Sequence, residues 1–177
     1  SFLLFSNGNE ILGDFELLEE LTQQMKALDP RRLYTLTSNF DHPASPWEDY
    51  FCAFEVQGHP ARLQHLQEEA AADTCLDYRE AVEASEKPVI SFEVGQYAVF
   101  PDTRQIEKYQ GNMLPVNLLA IRKRLEERGS LGRLDRYCRA SGLLAARLYK
   151  EDIEAALRTE GLGGFGLLAL TDYTGQS

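Results

Sequence analysis

Cysteine and histidine are scarce in this sequence of 177 residues, which contains three of each. The cysteines are Cys52, Cys75 and Cys138. Their odd number, their wide spacing and the lack of a CxxC pair exclude a disulfide framework and a zinc ribbon. The histidines show no HExxH-type spacing, so we expect no metal site and no cofactor.

Long apolar runs and an excess of positive charge are also missing. No run approaches the roughly 18 residues of a membrane-spanning helix, and the first residues lack a basic leader with a cleavage site. Acidic residues number 28 against 18 basic ones, a net charge of −10. Nucleic acids and anionic membranes attract clustered Lys and Arg, so neither is expected as the main partner.

Short apolar runs alternate with helical patterns along the chain. Five runs bounded by turn residues predict strands at 2–6, 33–36, 50–56, 88–92 and 165–170. Periodic segments predict helices at 14–29, 76–84, 115–128, 131–138 and 144–157, the first with Asp14 as its N-cap. This alternation predicts an α/β fold with about five parallel strands joined by crossover helices.

A glutamate follows two of these strands, where a parallel α/β fold places its reactive side chains. Glu10 follows the first strand, and Glu93 ends the fourth. A pair of carboxyl groups facing one cleft is the minimal equipment for glycoside hydrolysis, with one protonated and the other ionised. Two solvated surface glutamates are the alternative, since charged residues often follow strands.

The segments around both glutamates resemble one enzyme family. Ser6–Glu10 resembles the Asn-Glu dipeptide that ends the fourth barrel strand of clan A glycoside hydrolases. Lys87–Tyr97 is similar to the nucleophile strand, the seventh, of family 2 members, specifically β-galactosidase-like proteins of polysaccharide-degrading bacteria. The resemblance continues through 140–142, 149–159 and 163–165 and is weakest between about 57 and 75.

This resemblance implies a partial (β/α)8 TIM barrel. A complete barrel needs about 200 to 250 residues, so residues 1–177 are expected to be the C-terminal portion of a catalytic domain, from strand four to strand eight. Exposed barrel edges are expected to favour self-association. The family implies a periplasmic or extracellular parent protein, whereas the residues themselves leave the cytoplasm open.

The resemblance also implies roles for individual residues. Glu10 matches the family's general acid/base and Glu93 matches its nucleophile, in a retaining double displacement on a carbohydrate substrate. Asn9 matches the asparagine that hydrogen-bonds the sugar 2-hydroxyl. A turn residue after Gly8 is the alternative interpretation of Asn9.

Further substrate-binding residues are predicted from their positions and chemistry. Trp47, the only tryptophan, is a candidate platform for a sugar ring, with ordinary loop packing as the alternative. Asn39, Gln96 and Asp172 are polar residues near strand ends and are predicted to bind sugar hydroxyls.

Two residues depart from the family pattern. Phe92 stands where relatives often carry histidine, and Asp172 stands where many clan A enzymes carry tryptophan. Phe92 favours a second hypothesis, a non-catalytic carbohydrate-binding or scaffold barrel that has lost activity. A third hypothesis, a phosphate- or nucleotide-binding α/β protein, lacks a GxGxxG or P-loop motif.

Overall fold

The computed structural model describes residues 2–39, 42–63 and 73–168. The chain divides into two compact units. The first unit comprises Ser1–Gly95 and Lys150–Leu170, and the second comprises Gln96–Tyr149 and Thr171–Ser177. Each unit is described by itself.

The described residues form strands, α-helices and two short 3-10 helices. The strands are β1 Leu4–Ser6, β2 Leu33–Thr35, β3 Phe51–Ala53, β4 Glu55–Val56, β5 His59–Pro60, β6 Val89–Val94 and β7 Gly164–Leu167. The α-helices are α1 Phe15–Leu28, α2 Arg79–Ala84, α3 Val116–Glu127 and α4 Leu134–Arg158. The 3-10 helices are Thr103–Lys108 and Leu131–Arg133. None of the helices in these described ranges is both long and apolar enough to cross a membrane.

The first unit is built on parallel strands. β1 pairs with β2, and β3, β6 and β7 form a second sheet in that order, all in parallel register. Ser38 forms isolated parallel bridges to Asn9 and to Cys52, so it connects the two sheets. The five parallel strands therefore neighbour one another in chain order. The predicted α/β class is confirmed, and the partial barrel remains a prediction.

The predicted strand over 50–56 is wrong in its second half. Glu55 and Val56 leave the parallel sheet and pair antiparallel with β5. The cause is the two-residue turn Gln57–Gly58, where both residues have positive φ, of 50° and 82°. This is the geometry that closes a tight hairpin.

The predicted limits of helix α1 are confirmed. Residues close in sequence determine both its first turn and its buried face. Asp14 accepts hydrogen bonds from the backbone N–H groups of Glu16 and Leu17, which satisfies two donors of the first turn. Leu18 and Thr22 are its buried residues. The Thr22 hydroxyl donates to the carbonyl of Leu18 and so loses no hydrogen bond on burial.

The prediction of two helices over 131–138 and 144–157 is wrong, because the single helix α4 runs from Leu134 to Arg158 and residues Leu131–Arg133 form a 3-10 helix before it. Ser141 and Gly142 suggest a break in the sequence, since Gly costs about 1 kcal/mol in a helix. The Ser141 hydroxyl instead donates to the carbonyl of Tyr137 at 2.8 Å, within the same helix. It also accepts the backbone N–H of Phe100 at 2.8 Å, so the serine serves the helix and the loop together.

The core of the first unit consists mainly of small residues beside the sheet. One cluster holds Ala53, Val56, Ala61, Ala81 and Val89, and a second holds Leu63, Tyr78, Ala155 and Ala156. Small side chains let the helices approach the strands closely, because protein interiors are packed to crystal-like density.

A buried carboxylate lies beside this core. Asp152 of α4 accepts the backbone N–H of Leu63 at 3.2 Å and the hydroxyl of Tyr78. Asp152 is fully buried. These bonds replace the water that the carboxylate loses on burial.

Apolar side chains are exposed around β1. Phe2, Leu3 and Leu4 are between 41% and 61% exposed. Among the described strands, β1 pairs only with β2, so one of its edges is open there. Self-association through such an edge stays a prediction.

Candidate functional site

The carboxyl end of β1 carries Asn9 and Glu10 and is held against β2 by backbone hydrogen bonds. Ser38 N donates to Gly8 O at 2.9 Å, and Glu10 N donates to Ser38 O at 2.8 Å. A Cβ atom at Gly8 would lie 2.7 Å from Ile11 Cδ1, so a larger residue there would have to displace the end of that side chain. The side chains of Asn9 and Glu10 start from a fixed backbone and are exposed.

The carboxyl end of β2 carries Asn39, whose backbone N–H donates to Cys52 O at 2.9 Å. The residue is 5% exposed, yet neither Oδ1 nor Nδ2 has a hydrogen-bond partner among the described residues. Leaving a buried polar group unsatisfied costs about 1–3 kcal/mol. An amide kept at that cost is suited to a ligand that supplies one acceptor and one donor.

Glu93 lies at an irregularity in the sheet. The register between β6 and β7 shifts between Ser91 and Val94, so the ladder is interrupted where Glu93 stands. Glu93 has φ of 55° and Gly95 has φ of 100°. Such bulges redirect a side chain from the position that strict alternation would give it.

Three of the residues at strand ends share a left-handed backbone conformation. Among the described residues, Glu10, Asn39, Gln57 and Glu93 are the non-glycine residues with positive φ. The tight β4–β5 turn accounts for Gln57. The other three end parallel strands, and such strain, about 1–3 kcal/mol each, is concentrated at functional sites in proteins. We call Asn9, Glu10, Asn39 and Glu93 the strand-end rim.

An arginine accompanies Glu93. Arg62 Nη1 lies 3.7 Å from Glu93 Oε2 and donates to the backbone carbonyl of Glu93 at 3.2 Å. The two side chains are 7% and 16% exposed, so this ion pair is weakly screened by water. The guanidinium also lies over the Phe54 ring, 4.8 Å from its centroid, which fixes its plane.

Cys52 of β3 lies close enough to Glu93 to respond to its charge. Burial raises the pKa of the Cys52 thiol to about 11, a hydrogen bond with Ser38 opposes this rise, and the Glu93 charge adds to it. The thiol is therefore protonated at neutral pH. It forms a neutral part of the surroundings of Glu93.

Trp47 lies in the loop before β3 and is 37% exposed. Its carbonyl accepts from Lys26 Nζ at 3.3 Å, and the same ammonium lies 2.6 Å from Asp49 Oδ1. The other oxygen of Asp49 accepts the backbone N–H of Tyr34, near the start of β2. The role of Trp47 as a sugar platform stays a prediction.

Gln96 and Asp172 are the two remaining predicted residues, and their binding of sugar hydroxyls stays a prediction. Gln96 follows Gly95 in the chain and is the first residue of the second unit. Asp172 lies outside the described residues.

Sequence reasoning missed Arg62 and the role of Cys52. Arg62 follows the β4–β5 hairpin, and nothing in its neighbourhood in the sequence points to β6. In the sequence, Cys52 belongs to no disulfide or zinc pattern. Its placement on the strand beside β6 was the one available signal.

The described residues contain no group of three or more His, Cys, Asp or Glu side chains that could hold a metal ion. Comparison with known proteins leaves the family open: no protein-family model matches this chain, and no curated protein matches it.

Proposed function

We propose that this chain is part of a retaining glycoside hydrolase, with Glu10 as acid/base and Glu93 as nucleophile. Three left-handed residues at the ends of parallel strands are the observation that supports this function, and one of them, Asn39, has a side-chain amide without a partner among the described residues. Backbone strain and an unsatisfied amide both cost free energy, which other contacts of the protein or a bound substrate must offset. A sugar can satisfy the amide, because its hydroxyl groups both donate and accept hydrogen bonds.

The strand order supports a partial barrel as the scaffold. β1, β2, β3 and β6 neighbour one another in that order, so three strand spacings separate Glu10 from Glu93. In a flat sheet these spacings would amount to about 14 Å. A closed barrel turns the same strand ends toward a common axis. Retention requires carboxyl groups about 5 to 5.5 Å apart.

The reaction would proceed in two displacements. Glu93 attacks the anomeric carbon, the glycosidic C–O bond breaks, and Glu10 gives its proton to the departing oxygen. Glu10 then removes a proton from water, and the water oxygen attacks the same carbon and releases Glu93. The carboxylate of Glu93 is regenerated and the sugar leaves with its original anomeric configuration.

Other rim residues would position the substrate and balance charge. Asn39 Nδ2 would donate to one sugar hydroxyl and Oδ1 would accept from another, since both atoms lack partners among the described residues. Asn9 would bind the 2-hydroxyl. Arg62 would hold the Glu93 carboxylate in place through the contact that it makes with Oε2.

Trapping the covalent intermediate is the direct test. The full-length polypeptide that carries this sequence is incubated with activated 2-deoxy-2-fluoro-glycosides of the common hexoses. Peptide mass spectrometry then locates the added sugar, which we expect on Glu93. The Glu86→Gln variant, which changes an exposed glutamate near the start of β6, should label normally, and Glu93→Gln should not label.

A non-catalytic carbohydrate-binding barrel is the second candidate, and Phe92 is the observation that favours it. An apolar side chain precedes Glu93 where related enzymes often have a hydrogen-bonding residue. Under this alternative, glycans bind but the fluorosugar never attaches to Glu93. Attachment at Glu93 would reject it.

A further inference from the structure

The second unit carries a charge opposite to that of the rest of the chain. The residues of this unit include ten basic and six acidic ones, whereas the first unit contains eight basic and twenty-two acidic ones. Local excess of one charge attracts ligands of the other sign. Within this acidic protein, the second unit is the part suited to an anion.

Most acidic side chains of this unit already have basic partners. Arg104 lies 2.8 Å from Asp102 and 2.9 Å from Asp135. On helix α3, Arg122 pairs with Glu126 at 3.2 Å, and Lys123 lies 3.9 Å from Glu127.

Arg124 and Arg128 differ from these residues. Among the described residues, neither forms an ion pair or a hydrogen bond through its side chain. Arg124 lies in the last turn of α3 and Arg128 is the residue that caps its C-terminal end, four positions later, so their guanidinium groups start from the same side of the helix.

These two arginines line a cavity of about 420 Å³. Its apolar wall is formed by Phe100, Ile121, Leu125 and Tyr137. The volume falls within the range of about 300–1,000 Å³ that is usual for small-molecule sites. We call this cavity the Arg124–Arg128 pocket.

The apolar wall is held in place by contacts within the unit. The rings of Phe100 and Tyr137 are 5.3 Å apart and tilted by 47°. The backbone N–H of Phe100 donates to the Ser141 hydroxyl. Ser130, which also lines the cavity, donates its hydroxyl to Leu125 O and is thereby committed to the helix end.

From the paired cations and the aromatic wall we infer that the Arg124–Arg128 pocket binds an organic carboxylate whose body is a flat aromatic ring. Guanidinium groups bind carboxylates through two parallel N–H donors, and tilted aromatic side chains pack favourably against another ring. The two arginines alone would bind a simple anion weakly, because exposed ion pairs contribute little free energy. Tight binding therefore needs the aromatic wall as well. This inference is independent of the glycosidase proposal.

The test uses 2-naphthoate as the probe and the full chain labelled with ¹⁵N, with binding followed by NMR titration. 2-Naphthamide supplies the same ring without the charge, acetate supplies the charge without the ring, and glucuronate supplies a carboxylate on a polar ring. We expect saturable binding of 2-naphthoate, with shifts at residues of the pocket. The amide should bind at least about tenfold more weakly, a difference of about 1.4 kcal/mol.

Variants separate the pocket from general attraction. Arg124→Gln/Arg128→Gln should weaken 2-naphthoate binding by about tenfold or more, whereas Lys123→Gln, an exposed cation on the same helix, should leave it within about twofold. Thermal unfolding followed by circular dichroism checks that each variant is folded. The inference is overturned if 2-naphthoate does not bind, if the amide binds equally well, if glucuronate binds more tightly, or if Lys123→Gln weakens binding as much.

Discussion

The two units of this protein differ in where they place their polar and charged side chains. In the first unit, polar groups are buried at strand ends and beside the core, as with Asn39 and Asp152. In the second unit, charged groups such as Arg122 lie on exposed helix surfaces and meet partners one turn away. A substitution should therefore have large and specific effects in the first unit and small, local effects in the second.

Removing the proposed acid/base is expected to have the largest effect. Glu10→Gln should lower kcat/KM by about 10²–10⁴-fold on substrates with poor leaving groups, because no group protonates the departing oxygen. Substrates with good leaving groups should retain their first displacement. Azide should restore turnover and give a product of retained configuration. Steady-state kinetics with paired aryl glycosides measure this, and equal losses on both substrates would contradict the role.

Loss of the hydroxyl beside Asp152 is expected to cost stability. Tyr78→Phe removes a donor from a buried carboxylate, so the free energy of unfolding should fall by about 1.5–3 kcal/mol. Urea denaturation measures this change. Tyr109→Phe is the matched control, since Tyr109 is 38% exposed, and it should change stability by less than about 0.5 kcal/mol. Equal effects of the two variants would show that Asp152 does not depend on Tyr78.

The Cys52 thiol gives a pH-dependent contrast with Cys75, which is exposed. Because the folded-state pKa of Cys52 is raised to about 11, its thiol is protonated in the folded state at pH values where the unfolded chain already ionises. The contribution of Cys52 to the free energy of unfolding is therefore constant below about pH 8.5 and falls as pH rises toward 11, by an amount on the order of 2 kcal/mol.

Thiol labelling measures the same contrast directly. At pH 8, Ellman's reagent should modify Cys75 quickly and Cys52 only on unfolding, because the reactive form is the thiolate. Rapid modification of Cys52 in the folded protein would contradict its burial. The Cys52→Ala variant should remove the slow phase.

Replacing Asn39 by glycine should separate stability from activity. Asn39→Gly removes a buried amide without partners among the described residues and relaxes a φ of 56°, so the free energy of unfolding should rise by about 1 kcal/mol. Turnover should fall by about tenfold, the loss of one hydrogen bond to substrate. Gln57→Gly, at the other left-handed position outside the rim, should stabilise slightly and leave turnover unchanged. A variant of Asn39 that lost stability would show that its amide has a structural partner.

The smallest effect is expected on the surface of α3. Arg122→Gln breaks an exposed pair with Glu126 and should change the free energy of unfolding by less than about 0.5 kcal/mol. High salt should remove even this difference. A loss above about 1 kcal/mol would show that the second unit depends on its ion pairs as the first depends on its buried polar groups.

Elements with strong local signals were predicted well from the sequence. Helix α1 has a capping aspartate and a regular apolar face, and β6 has a β-branched core. In both elements, local preference and tertiary packing favour the same structure. The break expected near Gly142 was wrong because Ser141 satisfies its hydroxyl inside the helix. The hairpin β4–β5 was missed because a continuous apolar run concealed the Gln57–Gly58 turn.

The site was predictable only in its residue types. Position after a strand indicates Glu10, Asn39 and Glu93, because the carboxyl ends of parallel strands share one edge. The left-handed conformation of these residues and the register shift at Glu93 arise from strand pairing. Arg62 reaches Glu93 across 31 positions of the chain, a contact that no local pattern encodes.

The bridges made by Ser38 have a mechanical consequence. Within the described ranges, the pairing of Ser38 with Cys52 is the β-bridge between the two-stranded and the three-stranded sheet. Backbone hydrogen bonds from Asn39 N to Cys52 O at 2.9 Å and from Asp49 N to Tyr34 O at 2.8 Å hold the same boundary. So few pairings should open more readily than the ladders on either side, so the amide of Asn39 should exchange with deuterium sooner than those of β6.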